Sequence, residues 1–192
     1  MKIIGLTGSI AMGKSTTSKM FLSYGIPVHD SDHVVHDFYR KDAVDLISFK
    51  FPDAIRNGKV DRARLSEIIT RNPDQLKILE RLVHPYVEKR RNEFIKYYRA
   101  QGSNLVLLDI PLLFEIGGQQ LVDIIVVVSA DDQIQKTRAL SRPNMSLEKF
   151  DLIKNKQVSD DQKRKNAHII IDTSNSIADT DRQVVTLLRA IQ

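Results

Sequence analysis

Eight residues, Gly8-Ser9-Ile10-Ala11-Met12-Gly13-Lys14-Ser15, fit the pattern G-x-x-x-x-G-K-[ST] and lie between an apolar run and a helical pattern. The chemistry of that spacing is polyphosphate binding. Consecutive backbone N–H groups at a helix N-terminus solvate several negative charges without a cluster of cationic side chains. Gly8 and Gly13 are expected where φ is unusual or where a Cβ would collide with phosphate oxygens. Lys14 is expected to reach the β- and γ-phosphates, and the Ser15 hydroxyl to ligate Mg²⁺. A nucleoside triphosphate and magnesium are thereby implied. The acceptor is not, because kinases, GTPases, helicases and motor ATPases share this loop.

A kinase also needs a carboxylate to orient or deprotonate the acceptor hydroxyl, and cations to hold the charge spread over the transferred group. Val28-His29-Asp30-Ser31-Asp32 ends an apolar run in two acids, and strand ends in open α/β sheets face the ligand crevice. Asp32 is assigned the acceptor, whereas Asp30 suits the cap of a helix starting at His33. Asp109, at another strand end, is a further candidate for the metal. Cations recur between Arg138 and Lys165, with Arg142, Lys149, Lys154, Lys156, Lys163 and Arg164 between them and few apolar anchors after Ile153. That composition suits a basic lid over a triphosphate, at about 138–166.

The elements that must position these residues follow from the apolar runs Ile3 to Leu6, Ile26 to Val28, Leu105 to Leu108, Ile124 to Val128 and Ile169 to Ile171. Separated by charged helical stretches, they predict an α/β fold with a five-stranded parallel sheet covered by helices. From Val28 to Leu105 the gap is too long for one crossover helix. Its pattern predicts helices at Val34 to Arg40, Ala43 to Phe51, Arg62 to Thr70 and Asp74 to about Arg99, an all-helical insertion at about 33–103. Pro52 and Pro73 mark breaks, Asp61 is a candidate cap, and Pro85 is expected to kink or restart the last helix.

A length of 192 residues, 42% of them hydrophobic, suits a single domain over 1–192 with one core. With no cysteine there is no disulfide framework, thiolate metal site or thiol nucleophile, and a reducing cytoplasm is the expected home. No run of eighteen apolar residues suggests a membrane span, and the N-terminus enters a strand in place of a signal peptide. The net charge of +5 could attract nucleic acid or a polyphosphorylated small molecule. Lys89-Arg90-Arg91, interleaved with Glu88 and Glu93, reads as a solvated helix face, so no nucleic-acid partner is expected. The only N-K, Asn155-Lys156-Gln157-Val158, lacks the Asp of a guanine-reading N-K-x-D, and no D-x-x-G follows the loop. A translocase would need a larger core. A small-molecule kinase fits best.

The opening I-x-G-L-T-G-x-I-x-x-G-K-S-T at Ile3 to Thr16, then Gly25-Ile26-Pro27-Val28 and D-x-D at Asp30 to Asp32, resembles the dephospho-CoA kinase family. Leu82-Val83-His84-Pro85, Asp109-Ile110-Pro111-Leu112-Leu113-Phe114-Glu115, Arg138, Arg142, Gln157, Lys163 and the ending Ala167 to Thr173 extend the resemblance over nearly the whole length. It implies ATP-dependent, Mg²⁺-assisted phosphorylation of the ribose 3′-hydroxyl of dephospho-CoA. Gly8, Ala11, Met12, Gly13, Lys14, Ser15 and Thr16, with Arg138 and Lys163, would hold the nucleotide. Asp32 would be the general base, and Lys14 and Arg142 would neutralise developing charge. His84 and Pro111 to Glu115 would line the acceptor site, with Leu112, Leu113 and Phe114 offering apolar surface and Glu115 a polar anchor. Many members have glycine or serine at the positions of Ser9, Ala11 and Met12, and Met12 is expected to narrow the approach without abolishing it. Asn175 replaces a common glycine, and asparagine tolerates φ > 0. The rival readings are another small-molecule kinase, for a nucleoside monophosphate or a sugar acid, and a nucleic-acid-associated ATPase.

Overall fold

The computed structural model describes residues 1–41, 43–72 and 74–191. In chain order they form β1 (Lys2–Thr7), α1 (Lys14–Ser23), β2 (Val28–Asp30), α2 (Ser31–Lys41), α3 (Ala43–Lys50), β3 (Ile55–Arg56), β4 (Lys59–Val60), α4 (Arg62–Arg71) and α5 (Asp74–Ala100). There follow β5 (Leu105–Asp109), β6 (Ile124–Ser129), α6 (Asp132–Leu140), α7 (Leu147–Lys156), α8 (Asp160–Lys165), β7 (Ile169–Asp172) and α9 (Ile177–Ile191). The chain divides into two compact units, 1–29 with 98–192 and 30–97.

The first unit carries the expected five-stranded parallel sheet, in the order β2-β5-β1-β6-β7, with the strand before the phosphate loop at its centre. Leu6 lies in register with Asp109 and with Val126. All five residues of β5 are buried, the continuous apolar pattern of a strand covered on both faces. Ile4, Leu6, Val126 and Val128 pack with Met20 and Phe21 of α1 and Val184, Leu187 and Leu188 of α9 in one core. The second strand begins at Val28, two residues beyond the start of the apolar run. Pro27 lacks an N–H but contributes its carbonyl, which accepts from Leu107 N–H at 2.9 Å.

The segment expected to be a loosely anchored lid forms α6, α7 and α8, and its anchors are isolated side chains in place of apolar runs. Ala139 and Phe150 are buried with Ala11, Arg138 holds Thr173, and Lys163 is fully buried. Asn175 does not take a positive φ.

The second unit is helical apart from a two-stranded antiparallel ribbon, β3 with β4, so the insertion is not all helical. Asn57 and Gly58, both at positive φ (50° and 68°), make the tight turn that closes it. Its core gathers Phe38, Ala43, Ile47, Phe51, Ala54, Leu65, Leu79 and Val83. Asp61 caps α4, its carboxylate accepting from Arg64 N–H at 3.0 Å. Pro85 does not restart the helix: α5 runs continuously over 27 residues. Leu79 and Val83 before the proline and Tyr86 and Val87 after it pack in the same core, which holds the register despite one lost hydrogen bond. The break expected at Pro73 lies outside the described residues.

Candidate active site

The phosphate loop is built by its neighbours as much as by its own residues. Between β1 and α1, Ala11 and Gly13 take positive φ (61° and 89°). Met12 N–H donates to Ser9 O at 3.2 Å, and Thr16 and Thr17 N–H both reach Gly13 O at 3.1 Å. No side chain caps the first turn of α1, so its orphan N–H groups and the positive end of the helix dipole are left for an anion.

The two motif glycines have different causes. A Cβ on Gly13 would approach the Thr173 side chain at 3.1–3.2 Å, on a backbone already left-handed. A Cβ on Gly8 would sit 2.4 Å from Val128 Cγ2 and 2.7 Å from Val128 O. Gly8 is therefore required by close approach to β6, and its φ is not positive. Met12 does not narrow the ligand approach either. It is 2% exposed, its side chain lies in the sheet core, and Sδ accepts from Ala130 N–H at 3.1 Å.

Lys14 donates to Oδ1 of Asp109, whose side chain is 3% exposed. The pairing follows from topology: Lys14 opens the helix after the central strand, and Asp109 ends the adjacent parallel strand. The exposed Ser15 hydroxyl and the Asp109 carboxylate are hard oxygen donors. That set fits Mg²⁺, which keeps waters and takes one or two protein oxygens together with substrate phosphates. Among the described residues no group of three or more His, Cys, Asp or Glu could hold a metal by itself.

Arg138 turns inward, not toward solvent. Its guanidinium donates to Thr173 Oγ1 at 3.1 Å and Thr173 O at 2.7 Å, and the Thr173 hydroxyl donates to Met12 O at 2.9 Å. Arg142 is exposed, in the turn after α6. Ile10 is held from both sides: its N–H donates to Gln157 Oε1 at 2.9 Å and its carbonyl accepts from Gln135 Nε2 at 2.8 Å.

Residues 111–117 form consecutive turns after β5. Leu113 is fully buried, so it offers no surface to a ligand, whereas Leu112 and Ile116 are exposed (44% and 56%). Glu115 is tied to protein partners. One oxygen accepts from Val158 N–H at 2.9 Å and lies 2.9 Å from Lys163 Nζ, an ion-pair distance without hydrogen-bond alignment. Lys163 is thus an interior cation on Glu115, not a hydrated lid lysine.

Asp32 and His84 belong to the second unit. Asp32 is exposed in the first turn of α2, which starts at Ser31, two residues earlier than expected. Asp30 is the cap, accepting from His33 N–H at 3.0 Å. His84 is exposed on α5, away from the buried Leu79 and Val83. The first unit brings together the loop, Asp109, Arg138, Glu115 and Lys163. The contributions of Gln135 and Thr173 were not legible as site residues; the visible signal for Thr173 was a polar pair, Asp172-Thr173, after the apolar run 169–171.

A family model described as dephospho-CoA kinase matches residues 2–179. The chain is 49% identical to a dephospho-CoA kinase of Rhizobium etli over 189 residues, covering 98% of this chain and 93% of that protein. It is 47% identical to one of Bartonella henselae over 192 residues, covering 100% and 98%. A solved dephospho-CoA kinase from Campylobacter jejuni superposes with a TM-score of 0.76 at 27% identity, covering 98% of this chain and 96% of that one.

Proposed function

Because this chain belongs to the dephospho-CoA kinase family, an ATP-dependent phosphotransferase of coenzyme A biosynthesis, we propose a division of labour among its own residues. The loop from Gly8 to Thr16 holds the ATP phosphates, through the uncapped N–H groups of α1 and the Lys14 ammonium. Asp109 keeps Lys14 in place before nucleotide arrives. Ser15 and Asp109 would be the protein oxygens for magnesium, which would supply positive charge against the phosphates.

Asp32 orients the ribose 3′-hydroxyl of dephospho-CoA and receives its proton as the oxygen bonds to the γ-phosphorus. The bond from that phosphorus to the β-phosphate oxygen breaks, giving CoA and ADP. A carboxylate is a far weaker base than the alkoxide of a ribose hydroxyl, so orientation and late proton acceptance are its main contributions. Arg142, exposed after α6, supplies a cation for charge developing on the transferred group. Leu112 and Phe114 offer apolar surface to the acceptor, with His84 a polar contact. Arg138 and Lys163 act at one remove, by holding Thr173 and Glu115.

The observation that carries this reading is the Lys14–Asp109 pair at the C-terminal ends of adjacent parallel strands, beside an uncapped helix N-terminus. No helix among the described residues is long and apolar enough to cross a membrane, and we place the enzyme in the cytoplasm, working without nucleic acid. The test is incubation with ATP and Mg²⁺ and either dephospho-CoA or a panel of nucleoside monophosphates and sugar acids, following ADP and acceptor mass. One phosphoryl group gained by dephospho-CoA alone is the expected result; gain by another acceptor would overturn the pocket assignment at Pro111 to Glu115.

A further inference from the structure

The tip of the phosphate loop and the turn after β5 are attached to two adjacent residues, one through its side chain and the other through its backbone N–H. Gln157, which ends α7 in an extended conformation (φ −92°, ψ 152°), accepts from Ile10 N–H with its side chain. The next residue, Val158, donates its N–H to Glu115. The Gln157 side chain and the planar 157–158 peptide meet at one Cα, so a single short link spans from loop to turn. Both ends are pinned. Gln135, fully buried on α6, fixes the other side of Ile10. The fully buried Lys163 fixes Glu115, because displacing that carboxylate would strand an interior ammonium.

We infer that Gln157-Val158 is a positioning strut that couples the nucleotide loop to the acceptor-side turn, so that nucleotide and acceptor affinities depend on each other through it. This rests on the assignment of residues 111–115 to the acceptor. A shift of the turn when acceptor binds moves Glu115, hence the 157–158 peptide, hence Ile10 and the N–H groups beside it. Neither Gln157 nor Val158 needs to touch substrate.

The test uses the two ends of the strut. Gln157→Ala removes the acceptor of Ile10 N–H and leaves the bond to Glu115. Val158→Pro removes the N–H to Glu115 and leaves the Gln157 side chain, and the extended conformation of Gln157 is the one a following proline favours. Calorimetry with Mg·ADP gives nucleotide affinity, and initial rates at saturating ATP give KM and kcat for dephospho-CoA. The cross effects are the signature. Gln157→Ala should raise the KM for dephospho-CoA about fivefold or more, and Val158→Pro should weaken Mg·ADP by a similar factor. The double variant should be no worse than the stronger single one, because both cut the same connection.

If Gln157→Ala changes only nucleotide affinity and leaves the KM for dephospho-CoA untouched, the strut is overturned, and that arm decides even if Val158→Pro fails to fold. Additive effects in the double variant would overturn it as well. A wild type that binds Mg·ADP but leaves dephospho-CoA unmodified would refute the acceptor assignment separately.

Discussion

At the scale of single residues, glycines of one motif answer to different constraints. Gly8→Ala would drive a methyl into the Val128 carbonyl, which is backbone of a central strand and cannot yield. Gly13→Ala would meet only the Thr173 side chain, on a left-handed backbone. Gly8→Ala should therefore cost about 1–3 kcal/mol of unfolding free energy and Gly13→Ala about 1–2, while Mg·ATP affinity falls more in Gly13→Ala. Urea unfolding and calorimetry on the two variants would check this. Lys14→Ala should lose both ATP binding and transfer, since it removes the cation proposed to hold the phosphates. Asp32→Asn should keep ATP binding and lose transfer by about 10²–10⁴-fold, the range of a positioned general base. Equal turnover by Asp32→Asn and wild type would remove Asp32 from the mechanism.

At the scale of elements, two contacts illustrate how helices hold the first unit. Glu115→Ala leaves the interior Lys163 ammonium without its counter-charge and should destabilise the protein by about 3–5 kcal/mol. Lys163→Met should be milder, because it strands the less buried partner. Denaturant midpoints would rank them. Ahead of α9, Ser176 N–H and hydroxyl donate to Asp179 at 3.2 and 2.6 Å, and Asp179 N–H donates to Ser176 Oγ at 3.1 Å, a reciprocal cap. Those bonds from Ser176 hold the Asp179 carboxyl below its ordinary pKa, with Arg182 adding to the effect. A depressed carboxyl pKa stabilises the fold above the unfolded value and loses that contribution as pH falls through the folded one. Ser176→Ala should therefore lower the melting temperature at neutral pH. The difference from wild type should shrink below about pH 4, read from melting temperatures across pH.

For the whole molecule, the proposed magnesium site has too few protein oxygens to hold the ion without substrate phosphates. Chelation of Mg²⁺ should therefore abolish turnover while leaving the melting temperature of the nucleotide-free protein unchanged. The basic helix face pairs internally, Arg90 with Glu93 at 3.0 Å and Arg91 with Glu88 at 3.7 Å. Added DNA or RNA should accordingly not stimulate turnover. Periodicity and motif spacing were enough to read a five-stranded parallel sheet, the nucleotide loop, and Asp30 as a cap, because buried strands and helix starts are written in adjacent residues. The β3–β4 ribbon escaped that reading: two-residue strands carry no alternation, and Asn57-Gly58 was its one local signal. Met12, Arg138, Leu113 and Lys163 were read as facing ligand or solvent, yet Met12, Leu113 and Lys163 are buried and Arg138 is tied to Thr173. Only tertiary structure could decide them, because burial depends on partners such as Ala130, Thr173, Gly118 and Glu115, several of them distant in the chain. A polar side chain's type states what it can bond, and the fold alone selects which partner it meets.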